Sequence, residues 1–90
     1  MGVVIHIHKT HRAFTDGLQT VAVDGQTVGE CLDELVKRFP DINRVLFSGN
    51  GDLLKNIDIC VNRESAYPEE LKKPVACGDI IYLHLLLTGG

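Results

Sequence analysis

The sequence has little of what marks out most protein functions. It contains no block of lysine and arginine, and its 9 basic residues against 12 acidic ones leave a net charge of −3. Nucleic acid and acidic membrane surfaces are recognised through clustered positive charge, so both are poor partners for this chain. The apolar runs are only a few residues long, far short of the ~20 that span a bilayer. The opening "MGVVIHIHK" lacks the charged-then-apolar layout of a signal peptide. Its Met1-Gly2 start puts His6 where a myristoylation motif wants Ser or Thr. Cysteine is scarce and odd in number: Cys31, Cys60 and Cys77, with no C-x-x-C pair. That excludes a disulfide scaffold, a structural zinc site and a ferredoxin-type iron–sulfur cluster, and it fits a reducing, cytoplasmic setting. There is also no Ser-His-Asp set, no paired carboxylates in a shared motif and no phosphate-binding glycine loop.

What is present belongs to an ordinary globular protein, with 44% hydrophobic and 23% charged residues over 90 positions, enough for one domain, 1–90. Residues 3–8, "VVIHIH", alternate and read as a strand. Val3, Ile5 and Ile7 point one way; Val4, His6 and His8 point the other. Residues 18–23, "LQTVAV", form a second strand, joined to the first as a hairpin through the loop "KTHRAFTDG". Thr27 and Glu30 make a T-x-x-E capping box that opens a helix. Val28, Cys31, Leu32, Leu35, Val36 and Phe39 give it one apolar stripe. Asp33–Lys37 and Glu34–Arg38 stand at acid-first i,i+4 spacing on its other side. Pro40 ends the helix, "DINRVLF" offers a further helical turn, and "SGNGD" turns the chain. Residues 57–62 alternate strictly, with Ile57, Ile59 and Val61 inward; "RES" then turns the chain. "YPEELKKPVACGD" is too broken by Pro68, Pro74 and Gly78 for more than a short edge strand. Residues 80–87, "IIYLHLLL", are apolar on nearly both faces, as central strands are. The expected architecture is an α+β sheet with one main helix; placing the first and last strands side by side at its centre fits, though several mixed topologies satisfy the same pattern.

This order of elements, with "VDGQTVGECLDELVKRFP", "IDICVNRES" and "VACGDIIYLHLLLTGG" ending on Gly89-Gly90, resembles the ubiquitin-like sulfur carriers, the MoaD/ThiS family. The length and the "VN" hairpin are more similar to the molybdopterin and cysteine-pathway carriers than to the thiamine carriers. The resemblance implies a β-grasp fold, a mixed sheet of four to five strands with one helix and a mobile Gly-Gly tail. It implies a protein co-substrate, not an enzyme. An ATP-dependent adenylyltransferase of the ubiquitin-activating type adenylates the carboxylate of Gly90. A sulfur donor, a rhodanese or a cysteine desulfurase, converts it to a thiocarboxylate, and a sulfur-accepting synthase takes the sulfide. No bound cofactor is implied; ATP is used by the partner.

Elementary chemistry explains why such a terminus suits such a role. A carboxylate, ionised at neutral pH, is a poor electrophile and needs activation. Its carbonyl must then come within about 3–3.5 Å of reacting atoms inside another protein. Gly89 and Gly90 have no Cβ and thread a narrow channel in whatever conformation it imposes.

If Ile81, Leu83 and Leu85 face inward, then Ile80, Tyr82, His84 and Leu86 face out, with His6 and His8 on the same face. That surface is expected to dock the activating enzyme, and Leu87 and Thr88 next to the tail complete the partner-binding set. His6, His8, His84 and Cys60 on one flat sheet face would converge poorly on a metal, so no metal site is expected. Cys31 reads as a buried small hydrophobe and Cys77 as exposed. Two alternatives keep the same scaffold: a protein modifier joined to lysines through Gly90, and an interaction module whose glycines are idle.

Overall fold

The computed structural model describes residues 2–85. Five strands form one mixed sheet: β1 (Val3–His6), β2 (Thr20–Val23), β3 (Ile57–Val61), β4 (Glu64–Ser65) and β5 (Ile80–Leu85), in the order β2-β1-β5-β3-β4. β1 pairs antiparallel with β2 and parallel with β5; β3 pairs antiparallel with both β5 and β4. The first and last strands are neighbours in the interior of the sheet, as expected. Because they run parallel, the chain between them must cross over. The helix α1 (Val28–Arg38) lies in that crossover and supplies the second layer. This is the β-grasp arrangement.

Each strand is fixed by which of its faces is buried. In β3 the pattern holds residue by residue, with Ile57, Ile59 and Val61 buried and Asp58 and Cys60 between them half-exposed. Val3 and Ile5 of β1, Val21 and Val23 of β2, and Ile81 and Leu83 of β5 complete the inner face. Val28, Cys31, Leu32 and Leu35 of α1 pack against it, fully buried, and Val36 and Phe39 flank them. Burial of each large aliphatic side chain contributes about 1.5–3 kcal/mol. Behind α1, a 3-10 turn at Pro40–Ile42 runs into the single-turn helix α2 (Asn43–Leu46), which adds Ile42 and Leu46 to the core.

The start of α1 follows its sequence closely. Thr27 Oγ1 accepts from the Glu30 N–H at 3.2 Å, and Glu30 Oε1 accepts from the Gln26 N–H at 2.8 Å. The helix is strapped to the return segment by Val28 N–H to Lys73 O (2.9 Å) and Val75 N–H to Gln26 O (3.0 Å). Gly29 makes that approach possible: a Cβ there would stand 2.9 Å from the carbonyl oxygen of Leu71.

Several expectations are corrected. The link between β1 and β2, read as a loop, is a 3-10 helix, Lys9–Thr15, that buries His11 and Thr15. β1 ends at His6, because His8 leaves the ladder to cap that helix, its Nδ1 accepting from the Thr10 N–H at 3.2 Å. "RES" is more than a turn: Glu64–Ser65 form β4, with Asn62 in the left-handed region (φ 57°) making the bend. At 67–79, where at most a short edge strand was expected, a 3-10 turn stands at Glu70–Lys72 and Pro74 makes an isolated bridge to Thr27. On α1 the ion pair is Glu34–Lys37 at 3.9 Å, an i,i+3 contact in place of the i,i+4 pairs.

Candidate functional site

The face of the sheet not covered by α1 carries the expected docking residues. Strand register fixes their order. Thr20, His6, Tyr82, Cys60 and Ser65 are successive partners across all five strands, one row from edge to edge. Beside that row, His84 pairs with Asp58, and Val4 pairs with both Ala22 and Ile80. Tyr82 is the centre of an aromatic group. The His6 ring lies 5.4 Å from it, tilted by 36°, and the His84 ring stacks with it at 6.2 Å with 16° between planes. Edge and stacked aromatic contacts at such separations order rings that solvent would otherwise leave free.

The electrostatics of the face are mild. Asp58 is the one carboxylate in the described part of β3. Its Oδ2 stands 4.0 Å from Cys60 Sγ, a long thiol-to-carboxylate hydrogen bond. Burial, and then the Asp58 charge, push the Cys60 thiol above its ordinary value, so it remains an unreactive thiol at neutral pH. His6, Tyr82 and Cys60 are half-exposed and His84 is exposed. The surface is therefore aromatic and weakly polar, which is the composition of a contact surface more than of a hydrated one.

His8 is not part of it. Its ring faces His11 at 6.0 Å, and its Nδ1 lies 2.8 Å from Thr10 Oγ1. His6 and Cys60 are two strands apart, roughly 10 Å, too far for a common zinc ion. Among the described residues no three His, Cys, Asp or Glu side chains come together as metal ligands. Cys31 is buried and Cys77 exposed, as read from the sequence. Leu86, Leu87, Thr88, Gly89 and Gly90 lie outside the described residues.

The root of β5 is secured by a latch that the sequence did not disclose. Asn62 Oδ1 accepts from the Ile80 N–H (3.1 Å), its N–H donates to Ile80 O (2.7 Å), and its Nδ2 donates to Asp79 Oδ1 (3.2 Å). Asp79 Oδ2 in turn accepts from the Ala76 N–H at 2.9 Å. Those hydrogen bonds, from Ala76 first and Asn62 second, hold the Asp79 carboxyl below its usual value. Gly78, at φ 95°, makes the tight turn before it. The register of β5, and with it the side of the sheet that Tyr82 and His84 occupy, is set here. The signal was present in "VN" and "GD", but pairing between residues 17 positions apart is not visible in either alone.

An α1-over-sheet layer with parallel neighbouring first and last strands, and an aromatic face on the strand leading to Gly89-Gly90, defines a ubiquitin-like protein. Comparison with known proteins gives the family. The chain is 35% identical over 77 residues to small archaeal modifier protein 1 of Haloferax volcanii, covering 82% of this chain and 85% of that one. The crystal structure of that protein superposes with a TM-score of 0.84 over 98% of each chain, at 30% identity. CysO in the crystallised BexX/CysO complex of Amycolatopsis orientalis superposes with a TM-score of 0.88 at 28% identity, over 99% of this chain and all of the other. CysO of Mycobacterium tuberculosis, described as an antigen, gives 0.87 at 25% identity over 96% of this chain and all of the other. No protein-family model matches the chain. The chain belongs to the ubiquitin-like sulfur-carrier and small-modifier proteins, the MoaD/ThiS type. No helix among the described residues is long and apolar enough to cross a membrane.

Proposed function

We propose that this protein is a sulfur carrier that serves other enzymes as a co-substrate. An adenylyltransferase of the ubiquitin-activating type seats the open sheet face, His6, Tyr82 and His84, and takes Leu86, Leu87, Thr88 and Gly89 into its channel. It joins the Gly90 carboxylate to AMP from ATP, with release of pyrophosphate. The terminal sulfur of a persulfide on a rhodanese or a cysteine desulfurase attacks the carbonyl and displaces AMP. A thiol then reduces the resulting acyl disulfide, leaving a thiocarboxylate and a disulfide between the two thiols. A synthase then transfers that sulfide into a molybdopterin-, cysteine- or thiamine-type product, and the carboxylate returns. The protein's own contribution is positional. The folded body supplies the binding energy, which offsets the ordering of the residues between it and the reacting carbonyl.

The observation that supports this reading most is the place of β5. The strand whose sequence runs on to Gly89-Gly90 is the middle strand of the sheet, and its open side carries Tyr82 and His84 at the centre of the aromatic group. A partner that grips that face grips the root of the reactive segment. The test is intact mass after incubation with ATP, a ubiquitin-activating-type enzyme and a sulfide donor. Exchange of one oxygen for sulfur, followed by one more alkyl group added by a thiol alkylator than the unreacted protein takes up, is the expected result; an unchanged mass with an enzyme active on its own carrier overturns the reading.

A second reading has its own support in the 35% identity to a protein named as a modifier. In it Gly90 forms an isopeptide bond with target lysines. Ladders of conjugates in host lysate, lost on deletion of Gly90, are its signature.

A further inference from the structure

Beside the start of β3 and the segment that follows β4, three adjoining concavities share Leu53 or Leu54. One, of about 320 Å³, is lined by Leu53, Leu54, Lys55, Ile57, Asp58, Tyr67 and Glu70. A second, of about 270 Å³, continues along Pro68, Glu69, Leu71 and Lys72. A third, of about 630 Å³, opens beside Asp52 and Asn56. Tyr67 stands over the first. It is 74% exposed, against 46% for Leu18, the other exposed large hydrophobic side chain among the described residues. Its backbone is nonetheless held: the neighbouring Ala66 is buried and donates its N–H to Ile59 O at 2.8 Å, and the Tyr67 N–H donates to Ser65 Oγ at 3.2 Å. A ring presented to solvent from a fixed backbone is preorganised for contact, because little freedom is left to lose when a partner covers it.

We propose that this groove is a second docking surface, for a polypeptide segment that presents apolar side chains between basic ones. Charge selects the occupant. The rim carries Asp52, Asp58, Glu69 and Glu70 against Lys55 and Lys72. Lys72 is engaged with Glu69 at 3.2 Å, which sets three carboxylates against a single lysine, Lys55. A second copy of the chain would bring the same carboxylates face to face, and an acidic lipid surface would meet like charge. A cationic segment satisfies the rim while its apolar residues fill the floor made by Leu53, Leu54 and Leu71, with Tyr67 as the anchor that such interfaces favour. Asp58, which pairs with His84, and Ile57, which pairs with Leu85, both line this groove, so it adjoins the aromatic face along β3.

The test is a titration of the isotope-labelled protein, followed by amide NMR shifts. The probes are two synthetic peptides of about a dozen residues, each with one leucine and one phenylalanine, flanked by lysines in one and by glutamates in the other. Saturable shifts at residues 52–58 and 67–72 with the lysine peptide, and none with the glutamate peptide, are expected. Tyr67→Ala, on an exposed side chain, leaves the spectrum folded and weakens binding by about tenfold or more. The pair Asp52→Lys and Glu70→Lys abolishes it. Equal binding of both peptides, shifts centred on His6, Tyr82 and His84, or no saturable shift overturns the proposal. Concentration-dependent shifts at 67–72 without peptide overturn it in favour of a second copy.

Discussion

His11 carries an unresolved tension at the level of a single residue. Its side chain is 5% exposed, and its Nδ1 is buried with no hydrogen-bond partner among the described residues. Leaving such an atom unpaired costs about 1–3 kcal/mol. Burial, and then the nearby His8, hold its pKa below the ordinary 6.5. The consequence for stability has a definite sign. As pH falls through 6.5 the unfolded chain takes up a proton on this imidazole, while the folded chain does not until lower pH. The unfolded state is then favoured by proton binding, and stability drops with pH below that point. Urea unfolding between about pH 7.5 and 5.5 should show this fall, and His11→Leu should flatten it. The same substitution removes the unpaired atom, so at pH 7.5 the variant is expected within about 1 kcal/mol of the parent or above it. A pH slope unchanged by His11→Leu contradicts the account.

Among the elements, those written in local sequence are the ones that sequence reading recovers. β3 alternates without a break and α1 has both a capping box and a stripe, so each is specified by residues within about one or two turns of one another. β4 has no such signal. Glu64 and Ser65 are polar and exposed, and they form a strand only because β3 offers an edge and Asn62 bends the chain back. The 3-10 helix at Lys9–Thr15 and the departure of His8 from β1 depend on Thr10, a competitor that alternation does not reveal. Two substitutions test these long-range terms. Gly29→Ala should gain up to about 1 kcal/mol of helix propensity. It also drives a Cβ to 2.9 Å from a backbone oxygen of Leu71. Strain of about 1–3 kcal/mol from such overpacking outweighs the gain, so chemical denaturation should show net destabilisation. At Asn62 the comparison is between Gly and Ala. Asn62→Gly keeps the left-handed bend and loses only the side-chain latch. Asn62→Ala loses the latch and adds about 1 kcal/mol of left-handed backbone strain. Equal stability of the two variants would mean that the bend, not the latch, is unimportant.

For the molecule as a whole, two assignments divide the work between body and tail. The central place of the last strand was legible because residues 80–87 are apolar on nearly both faces, but its pairing with the first strand was one of several topologies that pattern allows. The make-up of the docking face was legible only in part. Tyr82, His84, His6 and Cys60 follow from alternation, while the pairing of Asp58 with His84 emerged only once the β3–β5 register was set. If the sheet face binds and the glycines react, the kinetics of a ubiquitin-activating-type enzyme acting on this protein must separate the two. Tyr82→Ala removes contact that is the same before and during the chemical step. Uniform binding of that kind raises KM and leaves kcat close to the parent, and a central aromatic contact is worth about tenfold or more. Gly89→Val leaves the sheet untouched, but it puts a branched side chain beside the carbonyl that must reach the nucleotide. A misplacement of about 1 Å at reacting atoms costs about a hundredfold, and it falls on kcat. Pyrophosphate release, measured against carrier concentration, gives both constants. The division holds if the variants move different constants. If both raise KM alone, the glycines serve binding and not approach; if Tyr82→Ala changes neither constant, the aromatic group is not the surface the enzyme grips.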